Sequence, residues 1–147
     1  MRTLVLGLGN PILSDDGVGL AVARELRGRV DGVDVRTTPM VGLEILDWIG
    51  SYGRVFLVDA LTTRGGRVGA VRRLTPDDGT LHLFSSHGVN FFELLELGRR
   101  LGHPVPEVGG IYGIEIGDEV AFGVGLSPAV EAAIPAAVEA IAGDLRT

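Results

Sequence analysis

The stretch Thr3-Leu4-Val5-Leu6-Gly7-Leu8-Gly9-Asn10-Pro11-Ile12-Leu13-Ser14-Asp15-Asp16-Gly17-Val18-Gly19 decides the fold. Residues 3–6 form a continuous apolar run, as a strand buried on both faces of a parallel sheet requires. A glycine-rich turn follows. Val18, Ala21, Val22 and Leu26 then recur at helical spacing, with Arg24, Glu25 and Arg27 around them. A strand released through such a turn into a helix is the opening unit of an α/β domain.

The rest of the chain continues the alternation. Residues 33–36 read as a short second strand, and Leu43, Leu46 and Ile49 as a short helix stopped by Gly50. Val55-Phe56-Leu57-Val58 is a second fully apolar strand, closed by Asp59. Residues 67–74 follow the Arg64-Gly65-Gly66 turn as a strand, and a connection too short for a crossover helix points to antiparallel pairing. A helix is expected over 89–101, where Phe91, Leu94, Leu95 and Leu101 form an apolar stripe ahead of Gly102. Residues 111–116 read as the last strand. In the final helix Ser127 is the expected N-cap, Pro128 suits the first turn, and Val130, Ile134, Val138, Ile141 and Leu145 line one face. Pro135 predicts a kink or a split.

This pattern predicts an α/β fold: a single domain with a mostly parallel, twisted sheet flanked by helices on both faces. Ligands of such sheets sit beyond the carboxyl ends of the strands, where strand order reverses. An order beginning 2-1-3 brings the loop carrying Asp16 against the strand end carrying Asp59.

Composition narrows the function. The 147 residues carry 13 basic and 19 acidic side chains, a net charge of −6, which argues against electrostatic binding of nucleic acid. The absence of cysteine removes disulfides, thiolate nucleophiles and cysteine-ligated metals. The opening apolar run is too short for a signal peptide and no apolar stretch is long enough to span a membrane, so a cytoplasmic protein is expected. Gly7-Leu8-Gly9-Asn10 opens like a dinucleotide loop, but Ile12 stands where the third glycine belongs. Two aspartates also place negative charge at the helix start that would receive a pyrophosphate, which disfavours phosphate.

Asp16, Asp59 and His87 each sit where a strand releases the chain into a loop, His87 following Phe84-Ser85-Ser86. Two carboxylates and an imidazole at one sheet edge make a nitrogen–oxygen site suited to a divalent transition metal. Each residue also has a plainer role. Asp15 or Asp16 caps the first helix, Asp59 accepts backbone N–H bonds at a strand end, and His87 caps the helix after it. His82 and His103 read as ordinary loop or surface residues, Asn10 as a turn organiser, Phe91 and Phe92 as core, and Glu44 and Asp47 as solvent-side charges.

Gly7-Leu8-Gly9-Asn10 through Asp15-Asp16-Gly17-Val18-Gly19 resembles the N-terminal signature of the nickel–iron hydrogenase maturation proteases. Val58-Asp59-Ala60 resembles their second acidic motif, Ser86-His87 their histidine motif, and Gly125-Leu126-Ser127-Pro128-Ala129-Val130 their C-terminal helix entry. The likeness runs over nearly the whole chain with its order kept. It implies one maturation-protease domain over 1–147, a three-layer phosphorylase/hydrolase-like sandwich. The implied enzyme is a nickel-dependent endopeptidase, grouped with the aspartic endopeptidases. It removes the C-terminal extension of the hydrogenase large-subunit precursor once nickel is inserted. Asp16, Asp59 and His87 are then the catalytic residues and the nickel contacts, with the nickel supplied by the precursor, and a monomer is expected. Thr38-Pro39-Met40-Val41-Gly42-Leu43 departs from the acidic, glycine-rich loop of many relatives, which bears on which precursor is recognised.

Two rivals remain at this level. The Gly7-Leu8-Gly9-Asn10-Pro11 opening also resembles peptidyl-tRNA hydrolases, but Asp15-Asp16-Gly17 stands where that family expects a histidine–asparagine motif. A non-catalytic metal- or nucleotide-binding accessory module would bind without cutting.

Overall fold

The computed structural model describes residues 2–39, 41–76, 90–118 and 122–147. Among these residues five strands form the sheet: β1 (Arg2–Leu8), β2 (Val33–Thr38), β3 (Tyr52–Leu61), β4 (Val71–Leu74) and β5 (Glu107–Glu115). Their order is β2-β1-β3-β5-β4. All pairings are parallel except β4 with β5. The expected 2-1-3 opening is present, and the reversal of strand order falls between β1 and β3.

Among the described residues four helices cover the sheet: α1 (Val18–Glu25), α2 (Leu46–Ile49), α3 (Phe91–Arg100) and α4 (Pro128–Leu145). Side chains alternate across the strands, so each face has its own core. Val5, Phe56, Val58, Tyr112 and Ile114 pack with Val18, Val22, Val130, Val138 and Ile141 of α1 and α4. Leu4, Leu6, Leu8, Leu57 and Ile111 pack on the opposite face with Ile49, Phe91, Leu94 and Leu95 of α2 and α3. The molecule is therefore a three-layer sandwich. No helix among the described residues is long and apolar enough to cross a membrane.

Two local expectations are revised. Helix α4 runs unbroken from Pro128 to Leu145 with Pro135 inside it. Glu131 and Pro135 are both exposed, so the carbonyl that the proline leaves without an amide partner faces water. The first helix has no side-chain cap from either aspartate; both carboxylates are engaged elsewhere. On the α4 side of β5, Tyr112 donates to Asp144, and burial first, then that bond, pushes its phenol above the usual range.

Candidate active site

The parallel strands β1, β2, β3 and β5 all end at one edge of the sheet, and Asp16 and Asp59 sit there. Beyond β1, residues Ser14–Gly17 form a 3-10 turn that carries Asp16, only 4% exposed. The Asn10 N–H donates to Asp16 Oδ2 at 2.9 Å, while Asn10 Oδ1 accepts from the Ile12 N–H at 3.1 Å. Asn10 thus organises the turn, and the turn in turn fixes the acid. Asp59 sits two residues from the end of β3, fully buried, with Oδ1 accepting from the Ala60 N–H at 2.8 Å.

Gly19 explains how the two acids come to share this edge. It lies in the first turn of α1, pressed onto the strand ends. A Cβ there would collide with the Leu8 carbonyl oxygen, lie 2.7 Å from the Val58 carbonyl oxygen and 3.1 Å from the Asp59 Cα. A bare Cα lets the turn carrying Asp16 rest directly on the backbone at Val58 and Asp59. Gly9 does the same one step earlier, since a Cβ on it would meet the Asp16 carbonyl.

Alternation along β3 settles where Asp59 points. Val58 and Ala60 face α1 and α4, whereas Leu57 and Leu61 face α2 and α3, so Asp59 shares the α3 face. Helix α3 ends six residues before β5 begins, and β5 starts opposite Arg54 at the far edge of the sheet. The last turn of α3 therefore lies at that far edge. Its first turn, capped by Asn90, lies at the edge that holds the acids. Asn90 Oδ1 accepts from the Glu93 N–H at 2.8 Å and Asn90 Nδ2 donates to Glu93 Oε1 at 2.9 Å, a reciprocal cap that the sequence reading left unnoticed. The cap position considered for His87 belongs to Asn90. His87 and His82 lie outside the described residues, and His103 is an exposed residue between α3 and β5. Among the described residues no three His, Asp or Glu side chains cluster as a metal site.

Two further acids support this edge: Asp15, expected as a helix cap, and Glu115, which the sequence reading did not single out. Asp15 accepts from the Ser127 N–H at 2.6 Å and from Ser127 Oγ at 2.8 Å, clasping the Asp16 turn to the start of α4. Ser127 holds the N-cap position as expected, but its hydroxyl serves Asp15 rather than its own helix. Replacing Asp15 with alanine removes both bonds to a charged acceptor and should lower unfolding free energy by about 2–3 kcal/mol, read as an earlier urea midpoint. Glu115, 2% exposed at the end of β5, accepts from Thr63 Oγ1 and from the Thr63 N–H (3.2 Å) and pairs with Arg72 at 3.5 Å. It pins the turn that leaves β3. A carboxylate inside the apolar run 111–116 was the available signal for it.

Chemically, the edge offers two buried carboxylates, each with one oxygen fixed by a backbone amide and with backbone packed against backbone between them. Such oxygens suit a divalent cation or the activation of a water.

The comparisons with known proteins agree with this architecture. A family model described as hydrogenase maturation protease matches residues 20–144, a span that includes Asp59 and His87 and begins just after Asp16. The hydrogenase 2 maturation protease of Escherichia coli (strain K12) is 29% identical over 153 aligned residues, covering 99% of this chain and 92% of that protein. Among solved structures, a hydrogenase maturating endopeptidase from E. coli superposes with a TM-score of 0.79 at 25% identity, covering 99% of this chain and 93% of that one. A [NiFe] hydrogenase maturation protease from Thermococcus kodakarensis superposes with a TM-score of 0.73 at 27% identity over the full length of both. With the fold, the chain order and most of the sequence span in agreement, this chain belongs to the hydrogenase maturation protease family.

Proposed function

We propose that this protease removes the C-terminal extension of a nickel–iron hydrogenase large-subunit precursor after nickel has been inserted. Asp16, Asp59 and His87 contact the nickel that the precursor brings. The observation that carries the reading is the pair of buried, amide-anchored carboxylates at the β1–β3 switch point, backed by a family model for hydrogenase maturation proteases. His87 enters through the chain: it stands three residues before Asn90, the cap of the helix that faces Asp59.

In this reading the nickel belongs to the substrate. Asp16 and Asp59 are oxygen donors and His87 a nitrogen donor, a set suited to a divalent metal of borderline softness. With no cysteine in the chain, the enzyme does not compete for the metal with thiolates on its partner. Reading the metal through side chains fixed at one edge places the scissile bond by proximity. One of the two aspartates then acts as general base toward the attacking water, which accords with grouping these enzymes among the aspartic endopeptidases. The backbone amides of Asn10 and Ala60 hold the two carboxylates in place at this edge.

The test compares nickel-loaded with nickel-free precursor under single-turnover conditions on a denaturing gel. Release of the tail from the loaded form alone is the expected result. Equal release from both removes nickel as the recognised group, and binding without release from either moves the protein to the accessory-module reading.

A further inference from the structure

Among the described residues, large apolar side chains are exposed almost wholly on one edge. Among the described residues Ile12, Leu43, Val68, Leu101, Phe122 and Val124 are the exposed large hydrophobics. Ile12 follows β1, Leu43 follows β2, Val68 follows β3, and Phe122 and Val124 follow β5. All five therefore stand in segments that leave the carboxyl ends of parallel strands, around the buried acids. Leu101, after α3, is the exception at the opposite edge.

The most exposed of them are also held on a firm backbone. Leu13 bridges Gly123, the Gly123 N–H donates to the Ile12 carbonyl at 2.8 Å, and the Ser14 N–H donates to the Gly123 carbonyl at 2.9 Å. Ser14 Oγ donates to the Gly125 carbonyl at 3.0 Å, and the Asp15–Ser127 clasp closes the same junction. On this frame Ile12 is 54%, Phe122 85% and Val124 92% exposed. Phenylalanine and valine held in water on a tied backbone gain nothing for the fold. They are preorganised for a partner that removes them from water.

We infer that the Ile12, Leu43, Val68, Phe122 and Val124 collar docks an apolar surface of the folded precursor around its scissile segment. The inference rests on the proposed proteolytic reading of the same edge. It adds that the enzyme recognises a folded protein surface as well as a metal. The collar stands in the segments that leave the strand ends carrying Asp16 and Asp59, where the scissile segment must enter, so the precursor is its occupant rather than a second copy of the chain.

The test uses the full-length enzyme with nickel-loaded precursor. The double variant Phe122→Ser/Val124→Ser changes only exposed side chains. It should raise the precursor concentration for half-maximal rate by about 10- to 100-fold while kcat is retained. Leu101→Ser, at the far edge, should match wild type. Precursor binding to each form, measured by calorimetry, separates the two proposals. If wild type does not cut at all, the proteolytic reading fails while a weaker Kd for the double variant still upholds the docking face. Equal half-saturation and equal Kd overturn the docking face even if cleavage is normal. So does a wild-type dimer that the double variant converts to monomer with precursor binding unchanged.

Discussion

Asp59→Asn and Asp16→Asn are each expected to reduce single-turnover release of the precursor tail by about 100-fold or more. Asparagine keeps the shape of each side chain and an oxygen that accepts from the Ala60 or Asn10 N–H, so the local turn survives. It removes the negative charge that attracts a cation and the basicity that accepts a proton. A loss of turnover with an unchanged urea midpoint therefore assigns the effect to chemistry rather than folding. Both variants cutting at the wild-type rate would take the two acids out of the mechanism.

Gly19→Ala should be strongly destabilising for a change of one methyl. Helix propensity alone favours alanine over glycine in α1 by at most about 1 kcal/mol. Packing opposes it, because the new methyl would strike the Leu8 carbonyl oxygen and crowd the Val58 carbonyl oxygen at 2.7 Å. Neither is the tip of a flexible side chain; both belong to strand backbone. Helix α1 must lift from the sheet, at a cost of about 3 kcal/mol or more, so the net sign is destabilising. Thermal or urea unfolding reads this directly. The lift also separates the Asp16 turn from Asp59, so residual cleavage should fall further than residual fold. Gly143→Ala in α4, where an added Cβ meets nothing within 4 Å, should instead be neutral or slightly stabilising.

The features that were legible in the sequence are those with local causes. Two apolar runs at 3–6 and 55–58 revealed the central strands, and the spacing of Val18, Val22 and Leu26 revealed α1. Asn10 organises its turn as expected, Phe91 is core, and Glu44 and Asp47 face solvent. The strand limits were less accessible. Strand β5 starts at Glu107 rather than 111, its glycines at 109 and 110 making room for the Phe56 ring; a Cβ on Gly109 would lie 2.8 Å from it. Strand β3 extends past Val58 through Asp59, a polar residue that ends an apolar run in sequence but is fully buried in the fold.

Contacts between distant residues were beyond a local reading. Asp15 and Ser127 are 112 positions apart, and nothing in either neighbourhood announces the clasp. Two adjacent aspartates before a helix suggest capping, yet they serve a tertiary clasp and a turn amide instead. The apolar collar was equally hidden. Ile12, Phe122 and Val124 look like ordinary loop hydrophobics until the parallel sheet gathers their loops at one edge.

Nickel-edge X-ray absorption on the complex with nickel-loaded precursor tests the joint role of Asp16, Asp59 and His87 most directly. Wild-type enzyme should add nitrogen and oxygen scatterers to the nickel shell, and the triple variant Asp16→Asn/Asp59→Asn/His87→Ala, still bound, should not. Identical spectra for the two complexes would contradict the account.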